Sequence, residues 1–573
     1  MKVKFEPILF SVILSRLVSV GHEMSITMEL TARSSILNES KDFSCSIFNG
    51  DGELIIQEEE VLPIHTVAGG LVLKEIIKDF KNDINEGDIF ICNHPYRNGS
   101  HLADLSMACP VFYKGEIQFW TMTRAHHLDI GSPLPSACRA DAPDIFSEGL
   151  KIPPLRIFYK GNEIYDVINL YKSNVRYPEM WYDDMRAQVA SVHIGEKRII
   201  ELCNKYDSEV LKYYSNELIK YSERMMVEEI KRMRKGVYYS EAYSDNDGVG
   251  NEDVLIKCKL TVDKDFIEVD LSESQDQTKG STNSSWGNTF AQVGTAILSC
   301  INPNIPRNAG CLKHIVVKAR KGSIVNPIYP TATSNCTIVV GDTICEAVWK
   351  ALSKCIPYNT PAGWGKQSGT NLQTSGIDYR TKKPYGYQTF KASSGGGAIW
   401  GHDGWNTTLT MTTLGATRCQ GVEAEEITIP HFIILHELWE DSAGPGEWRG
   451  GFGSKLIMKG IKHDMTCVFF GDGFKYPPHG ILGGKNGRGG AHFVESKNGH
   501  KTFYNCNGMF ILHEDEIYYG FASGGGGVGD PKKRSIDEVL KDVKDGLISI
   551  KSAKDDYGIL IDQKTFKIKQ ILR

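Results

Sequence analysis

Residues 98–131 read NGSHLADLSMACPVFYKGEIQFWTMTRAHHLDIG, and the way they fold decides where the N-terminal part of the chain puts its chemistry. Two strand-like runs, LSMACPVFY and EIQFWTMTR, flank Lys114-Gly115, which reads as a tight turn. Closing a hairpin about that turn sets Asp104 opposite Ala125 and brings His126 and His127 within a residue or so of it. His101 and Asp104 are three apart and share one side only if the chain turns there, which Asn98-Gly99 favours. Two imidazoles and a carboxylate leave positions on a divalent ion open to water, the ligand count of a catalytic site. Mixed nitrogen and oxygen ligation suits Zn²⁺, Mn²⁺ or Fe²⁺. Adjacent strand residues face opposite ways, so only one of His126 and His127 joins directly. Strict two-residue-turn parity favours His127 beside Asp104, and a one-residue shift favours His126. The plainer alternative is a hairpin whose histidines are merely hydrogen-bonded or at the surface.

Around this stretch, His65 in LPIHTVAGG and Asp129 in HHLDIG are candidates for groups that orient metal ligands. Glu148 in FSEGLKIPP is a candidate general acid or base, and Asp129 is grouped with it as a catalytic candidate. The competing role for Glu148 is a buried carboxylate paired with an arginine.

A chain of 573 residues is too long for one core and predicts roughly three or four packed units. A net charge of -5 gives no broad attraction to nucleic acid. The 57 glycines against 22 prolines point to a strand-rich body with many turns, and the expected fold is multidomain α+β. In PILFSVILSRLVSVGHEM, Leu9, Ile13, Leu17, Val20 and Met24 recur at helical spacing, predicting a helix with one buried face and no signal peptide. No stretch is expected to reach a membrane span. The 14 cysteines form no C-x-x-C pair, which fits a reduced, cytoplasmic protein. The expected division is a strand-rich domain at 1–182 carrying the metal site and a charged helical segment at 183–236. A central α/β domain at 237–420 and a glycine-rich strand domain with a terminal helix at 421–573 complete it.

Glycine clusters occur in SSGGGAIWGHDGW (393–405), GPGEWRGGFG (444–453), HGILGGKNGRGG (479–490) and SGGGGVGDP (523–531). Their amides can cradle anions, which nominates Gly395, Gly396 and Gly397 with His402 and Asp403 as a phosphate or substrate site. The competing reading is turn geometry at positive φ. None has P-loop spacing, and no nucleophile elbow or H-E-x-x-H occurs.

NEGDIFICNHPYRNGSHLADLSMACPVF, RAHHLDIG, DIFSEGLKIPP, NVRYPEMWYDDMRAQVAS, IPRNAGCL, GGGAIWGHDG, EDSAGPGEWRGGFG and SGGGGVGDP, in this order, resemble the hydantoinase B/oxoprolinase family. The likeness runs from about Glu6 to Gly558. It implies a metal triad of His101, Asp104 and His126, resolving the parity in favour of the first histidine of the pair. His127, His94 and His65 are further possible ligands; His94 stands in Asn93-His94-Pro95-Tyr96 where the family usually has Asn-Asp-Pro-Tyr.

The resemblance also implies a hetero-oligomer in which a hydantoinase A-type subunit binds ATP and phosphorylates the oxygen of a cyclic amide or ketone. The expected activity is hydrolysis: water activated by the metal attacks the phosphorylated amide carbon and opens the ring, while the amides of 395–397 hold phosphoryl oxygens. The alternatives are a subunit of an acetone or acetophenone type carboxylase, and a non-catalytic scaffold for an ATPase partner.

Overall fold

The computed structural model describes residues 4–58, 62–135, 138–366 and 368–573. It divides into two compact units, Met1–Val237 with Cys258–Thr337, and Tyr238–Lys257 with Ile338–Arg573.

The first unit is built on a seven-stranded sheet of β1 (Phe43–Asn49), β2 (Leu54–Gln57), β3 (Ile89–Cys92), β4 (Asp104–Tyr113), β5 (Glu116–His126), β6 (Leu155–Tyr159) and β7 (Asn162–Glu163), in the order β2-β1-β5-β4-β3-β6-β7. Each strand pairs antiparallel with its neighbours. The β1–β2 hairpin turns at Asn49–Gly52 as expected, with Gly52 at φ 78°. Its helices up to residue 237 are α1 (Pro7–Thr31), α2 (Ser35–Asn38), α3 (Pro63–Phe80), α4 (Tyr165–Lys172), α5 (Pro178–Tyr206) and α6 (Ser208–Arg232). One sheet face packs on α3 through Phe48, Phe90, Ala108 and Trp120 against Val72, Leu73 and Ile76. The other packs on α5 through Leu105, Met107 and Cys109 against Met185, Val189 and Val192. A sheet covered on both sides needs apolar or small residues at consecutive positions, so LSMACPV shows little alternation.

Residues 183–236 therefore do not divide the chain. They form α6 and most of α5, and α5 packs on α1, β4 and β5. The charge in these helices lies on their outer sides, which periodicity alone does not distinguish from a free-standing segment. A boundary at 420 is likewise excluded, because Ser368–Ile377 pairs with Met465–Gly471 and a break there would split that sheet. The expectation about membrane spans is also corrected. At 25 residues α1 is long and apolar enough to cross a bilayer. Its Ile13, Leu17, Val20, Met24 and Met28 are nevertheless buried against the protein, the placement of a core helix.

The second unit holds a two-stranded sheet of Ile559–Ile561 and Ile568–Ile571 and two larger sheets. One orders Pro384–Gln388, Ser368–Ile377, Met465–Gly471 and Gly508–Leu512; the other orders His431–Leu438, Ser454–Gly460, Ile517–Phe521, Ala491–Glu495 and Lys501–Phe503. Leu372, Leu456, Met458, Phe469 and Tyr518 share their core. The expected helix near 342–357 is Gly341–Cys355. The single tail helix is two, Ile536–Lys544 and Ile550–Asp555, with Gly546 at φ 71° between them.

The glycine clusters do more than form turns. Extended segments lie side by side and bond through their backbones: Gly395 N–H donates to Ser523 O (2.9 Å), Gly396 to Trp405 O (2.8 Å), Ala398 to Gly526 O (3.0 Å) and Gly525 to Gly451 O (2.9 Å). Neighbouring residues thus bond to different segments, unlike a sheet ladder. Gly395, Gly396 and Gly397 are not at positive φ. Glycine is required because the chains touch: a Cβ on Gly525 would sit 2.0 Å from Gly396 O, and one on Gly397 would sit 2.1 Å from Ala362 O. These are rigid backbone neighbours on both sides. Gly525→Ala is therefore expected to lower stability by at least ~2 kcal/mol in urea unfolding, the scale of an overpacked core that cannot relax.

Candidate metal centre

Lys114 and Gly115 have φ of 54° and 83°, the two left-handed residues that a two-residue hairpin turn requires. Tyr113 pairs with Glu116 and Phe112 with Ile117, but Val111 pairs with Phe119. Gln118 is an extra residue in β5, a bulge that advances the register by one. Beyond it Asp104 lies opposite His126, not Ala125. Regular parity at the turn thus gives way to a bulge four residues later.

His126 consequently shares the α3 face with Asp104, and its Nδ1 is 3.3 Å from Asp104 Oδ1. His127 faces α5, where its Nε2 is 2.9 Å from Gln188 Oε1; Gln188 in turn donates to Leu105 O (3.0 Å). His101 reaches the same carboxylate oxygen, with Nε2 2.9 Å from Asp104 Oδ1, because the chain turns after Asn98, which is left-handed at φ 65°. The other ring nitrogen of His101, Nδ1, donates to Ser334 O at 2.9 Å, which fixes the ring orientation with Nε2 toward Asp104. His101, Asp104 and His126 are all buried, and one ligand atom from each lies within 4.8 Å of the others. His126 Nε2 is buried with no hydrogen-bond partner. A buried set of two imidazoles and a carboxylate with an unsatisfied ring nitrogen fits a divalent ion.

Asp104 Oδ2 accepts from Ser100 Oγ and lies 3.5 Å from both His65 Nε2 and Arg124 Nη2. Burial works to raise the Asp104 pKa, but the charge and hydrogen bond of His101, with a hydrogen bond from His126, hold it well below the usual carboxylate range. Burial likewise opposes charge on His101, and Asp104 overcomes it, carrying the imidazole well above its ordinary value. His65 on α3 is pushed down to about 3 by burial and is neutral. It stands beside the cluster, as the sequence suggested. Asp42, at the start of β1, was not anticipated: its carboxyl is 4.0 Å from His65 Nε2 and burial pushes it up to about 6. Arg124 was also missed. It is buried, donates to Ser100 Oγ at 2.5 Å, and keeps Nε and Nη1 without a partner. Alternation along T-R-A-H places Arg124 with His126, a signal the sequence carried; nothing local pointed to Asp42, whose place depends on β1 pairing with β5.

Glu148 is buried, and its Oε1 accepts from the amides of Thr333 (2.7 Å) and Ser334 (2.5 Å). Burial pushes its carboxyl up to about 7, and Oε2 has no partner. It holds the backbone that holds His101. Asp129 ties a loop: it accepts from Gly131 N (2.9 Å) and Arg176 N, and Arg176 Nη1 lies 3.6 Å away. None of these partners belongs to the triad. His94 caps the short helix Pro95–Arg97, its Nδ1 accepting from Tyr96 N at 3.1 Å, and burial pushes it down to about 4. In the second unit, Asp403 forms paired 2.7 Å contacts with Arg534 and accepts from Arg449 N at 2.9 Å, while His402 is exposed. Asp403 is thus a structural anchor, and the amides of Gly395 and Gly396 are already bonded within the glycine layer.

The hydantoinase B/oxoprolinase family profile matches residues 6–531. The chain belongs to this family. It is 34% identical over 566 residues to the caprolactamase subunit beta of Pseudomonas jessenii, spanning 97% of this chain and 96% of that one. The crystal structure of the ATP-dependent caprolactamase from Pseudomonas jessenii superposes with a TM-score of 0.93 over 99% of this chain and 98% of its own, at 31% identity. A nucleotide-free acetone carboxylase structure shares the fold, with a TM-score of 0.90 over 99% of this chain and 81% of its own, at 19% identity. The α+β, multidomain architecture expected from the sequence is the one these relatives have.

If Glu148 orients His101 through the 333–334 backbone, Glu148→Ala weakens binding of Zn²⁺ or Mn²⁺ by roughly 10–100-fold, the scale of lost outer-shell contacts. Glu148→Gln, which retains an acceptor for both amides, stays within a few-fold. Isothermal titration of the metal-depleted protein measures both.

Proposed function

We propose that the chain is the B-type subunit of an ATP-dependent cyclic-amide hydrolase, with a divalent ion (Zn²⁺, Mn²⁺ or Fe²⁺) held by His101, Asp104 and His126. The observation that carries this reading is the convergence of those buried donors in a chain collinear with a caprolactamase subunit beta. ATP enters through a hydantoinase A-type partner, which activates the amide oxygen by phosphorylation. A divalent ion bound here lowers the pKa of water toward neutrality and polarises an oxygen placed against it.

The chain's own residues do the remainder. Ser334 O and Asp104 fix both nitrogens of His101, and Ser100 with Arg124 anchors Asp104. Asp42, its carboxyl raised by burial, is placed to take the proton from the attacking water, with neutral His65 beside it. The unpartnered Nε and Nη1 of Arg124 supply positive charge for the phosphoryl oxygens, which leave with the activated oxygen as inorganic phosphate while the C–N bond breaks and the ring nitrogen takes up a proton. This replaces the phosphate-holding role expected of Gly395–Gly397. The fourteen cysteines are all free thiols, which supports placement in the reducing cytoplasm.

Co-expression with the A-type partner and assay of ATP hydrolysis tests the reading. Turnover is expected to depend on a cyclic amide such as hydantoin, 5-oxoproline or caprolactam, and to need no ketone. Turnover only with a ketone plus bicarbonate makes the chain a carboxylase subunit, and unchanged activity in the triad variants makes it a scaffold. His101→Ala and Asp104→Asn are expected to lower amide-dependent turnover at least about 100-fold, since a catalytic ion contributes several kcal/mol.

A further inference from the structure

The face of β4 opposite Asp104 carries a second convergence of ligand atoms. Cys109 projects toward α5, where His193 and Glu196 stand three residues apart on one side of the helix. We propose that Cys109, His193 and Glu196 form a second metal site, selective for Zn²⁺ or another thiophilic divalent ion and separate from the His101 cluster. It does not rest on the proposed hydrolase reading.

Three independent features support it. One ligand atom from each residue lies within 4.8 Å of the others. Metal–ligand bonds of about 2.0–2.3 Å in a tetrahedron separate ligand atoms by roughly 3.4 Å, so closure is a matter of about an ångström. The residues that must move are the free ones: the His193 and Glu196 side chains are 39% and 16% exposed, while Cys109 is fully buried in a paired strand. Second, the thiol is not packed as a buried cysteine usually is, among apolar groups only. Its Sγ donates to Pro110 O at 3.8 Å, lies within 4.8 Å of a Glu196 carboxylate oxygen, and belongs to the residue directly opposite Thr121 on β5. His193 Nδ1 lies 2.9 Å from Glu196 Oε2, so the three groups already form one polar cluster.

Third, the backbone is built for this approach. Gly195 sits between the two helical donors, and a Cβ there would come 2.6 Å from Met24 Sδ and 2.8 Å from Thr121 Cγ2. The missing side chain lets α5 lie close against β5 at this point, and Thr121 Oγ1 donates to Val192 O at 2.9 Å across the contact. Thiolate, imidazole and carboxylate are a donor set suited to Zn²⁺, with the outer position open to solvent. On binding, the thiol proton leaves to solvent and a sulfur–metal bond replaces the thiol–carboxylate contact. The bound ion pins α5 to β4. The same helix supplies Gln188, which holds His127 next to His126.

Titration of the chelator-treated, full-length protein with Co²⁺ distinguishes the two sites, because only a thiolate ligand gives a sulfur-to-cobalt charge-transfer band in the near ultraviolet. His126→Ala is expected to show the band saturating at one equivalent of Co²⁺, and wild type, in which the His101 cluster also takes the ion, by two equivalents. Cys109→Ser and His193→Ala are expected to lose it, and Zn²⁺ to abolish it by competition. A wild type without the band, or a band that persists undiminished in Cys109→Ser, overturns the proposal. Should Cys109→Ser not fold, His193→Ala and Glu196→Gln carry the test from the less buried side: affinity for Co²⁺ falling at least about tenfold supports the site, and unchanged affinity overturns it. Loss of ion binding at His101, Asp104 and His126 leaves this band untouched, so failure of either proposal is visible by itself.

Discussion

Asp104 stands opposite His126 because β5 carries one residue more than β4 between the turn and the site. The Lys114-Gly115 turn sets one register, the bulge at Gln118 replaces it with another, and every side chain beyond the bulge changes its cross-strand partner. Without that shift Asp104 would face Ala125. With it, His126 and Arg124 share the α3 face with Asp104 and His65, and His127 is handed to Gln188 on the other side. The chemistry of the first unit depends on this single irregularity in its most buried hairpin.

The cluster that results is electrostatically dense and buried. Asp104 is surrounded by His101, His126, His65 and Arg124, and stays ionised although burial opposes it. His65 is driven neutral and Asp42 retains protons more readily than an exposed carboxyl, both from burial. Divergent pKa values among neighbouring groups are what the proposed proton transfer requires. Glu148 acts at one remove, through backbone amides and the carbonyl of Ser334, which is why a carboxylate distant in sequence reads as a catalyst from its motif and as a support from its bonds.

The glycine-rich segments make a parallel point about backbone. Their composition suggests loops, whereas the structure uses them as closely packed chains whose donors and acceptors satisfy one another. Most of these glycines are needed for the absence of a Cβ, and only a few, such as Gly401, Gly483 and Gly529, for left-handed φ. The amides of Gly395 and Gly396 are taken up within the layer, and the proposed function therefore assigns the anionic part of a substrate to Arg124.

The sequence by itself determined the family, the multidomain α+β class, the hairpins at Asn49–Gly52 and Lys114-Gly115, and the histidines and aspartate of the candidate site. These are legible because turn chemistry, strand runs and short-range spacing are local. Whether His126 or His127 faces Asp104 could not be read from spacing, since a bulge reflects how a strand fits its neighbours and helices on both faces. Asp42, the Glu148–Ser334–His101 connection and the Cys109–His193–Glu196 cluster join residues far apart along the chain. Only the tertiary structure decided them, because side chains on separate strands, loops and helices acquire a common environment only when the sheet is paired and its two faces are covered.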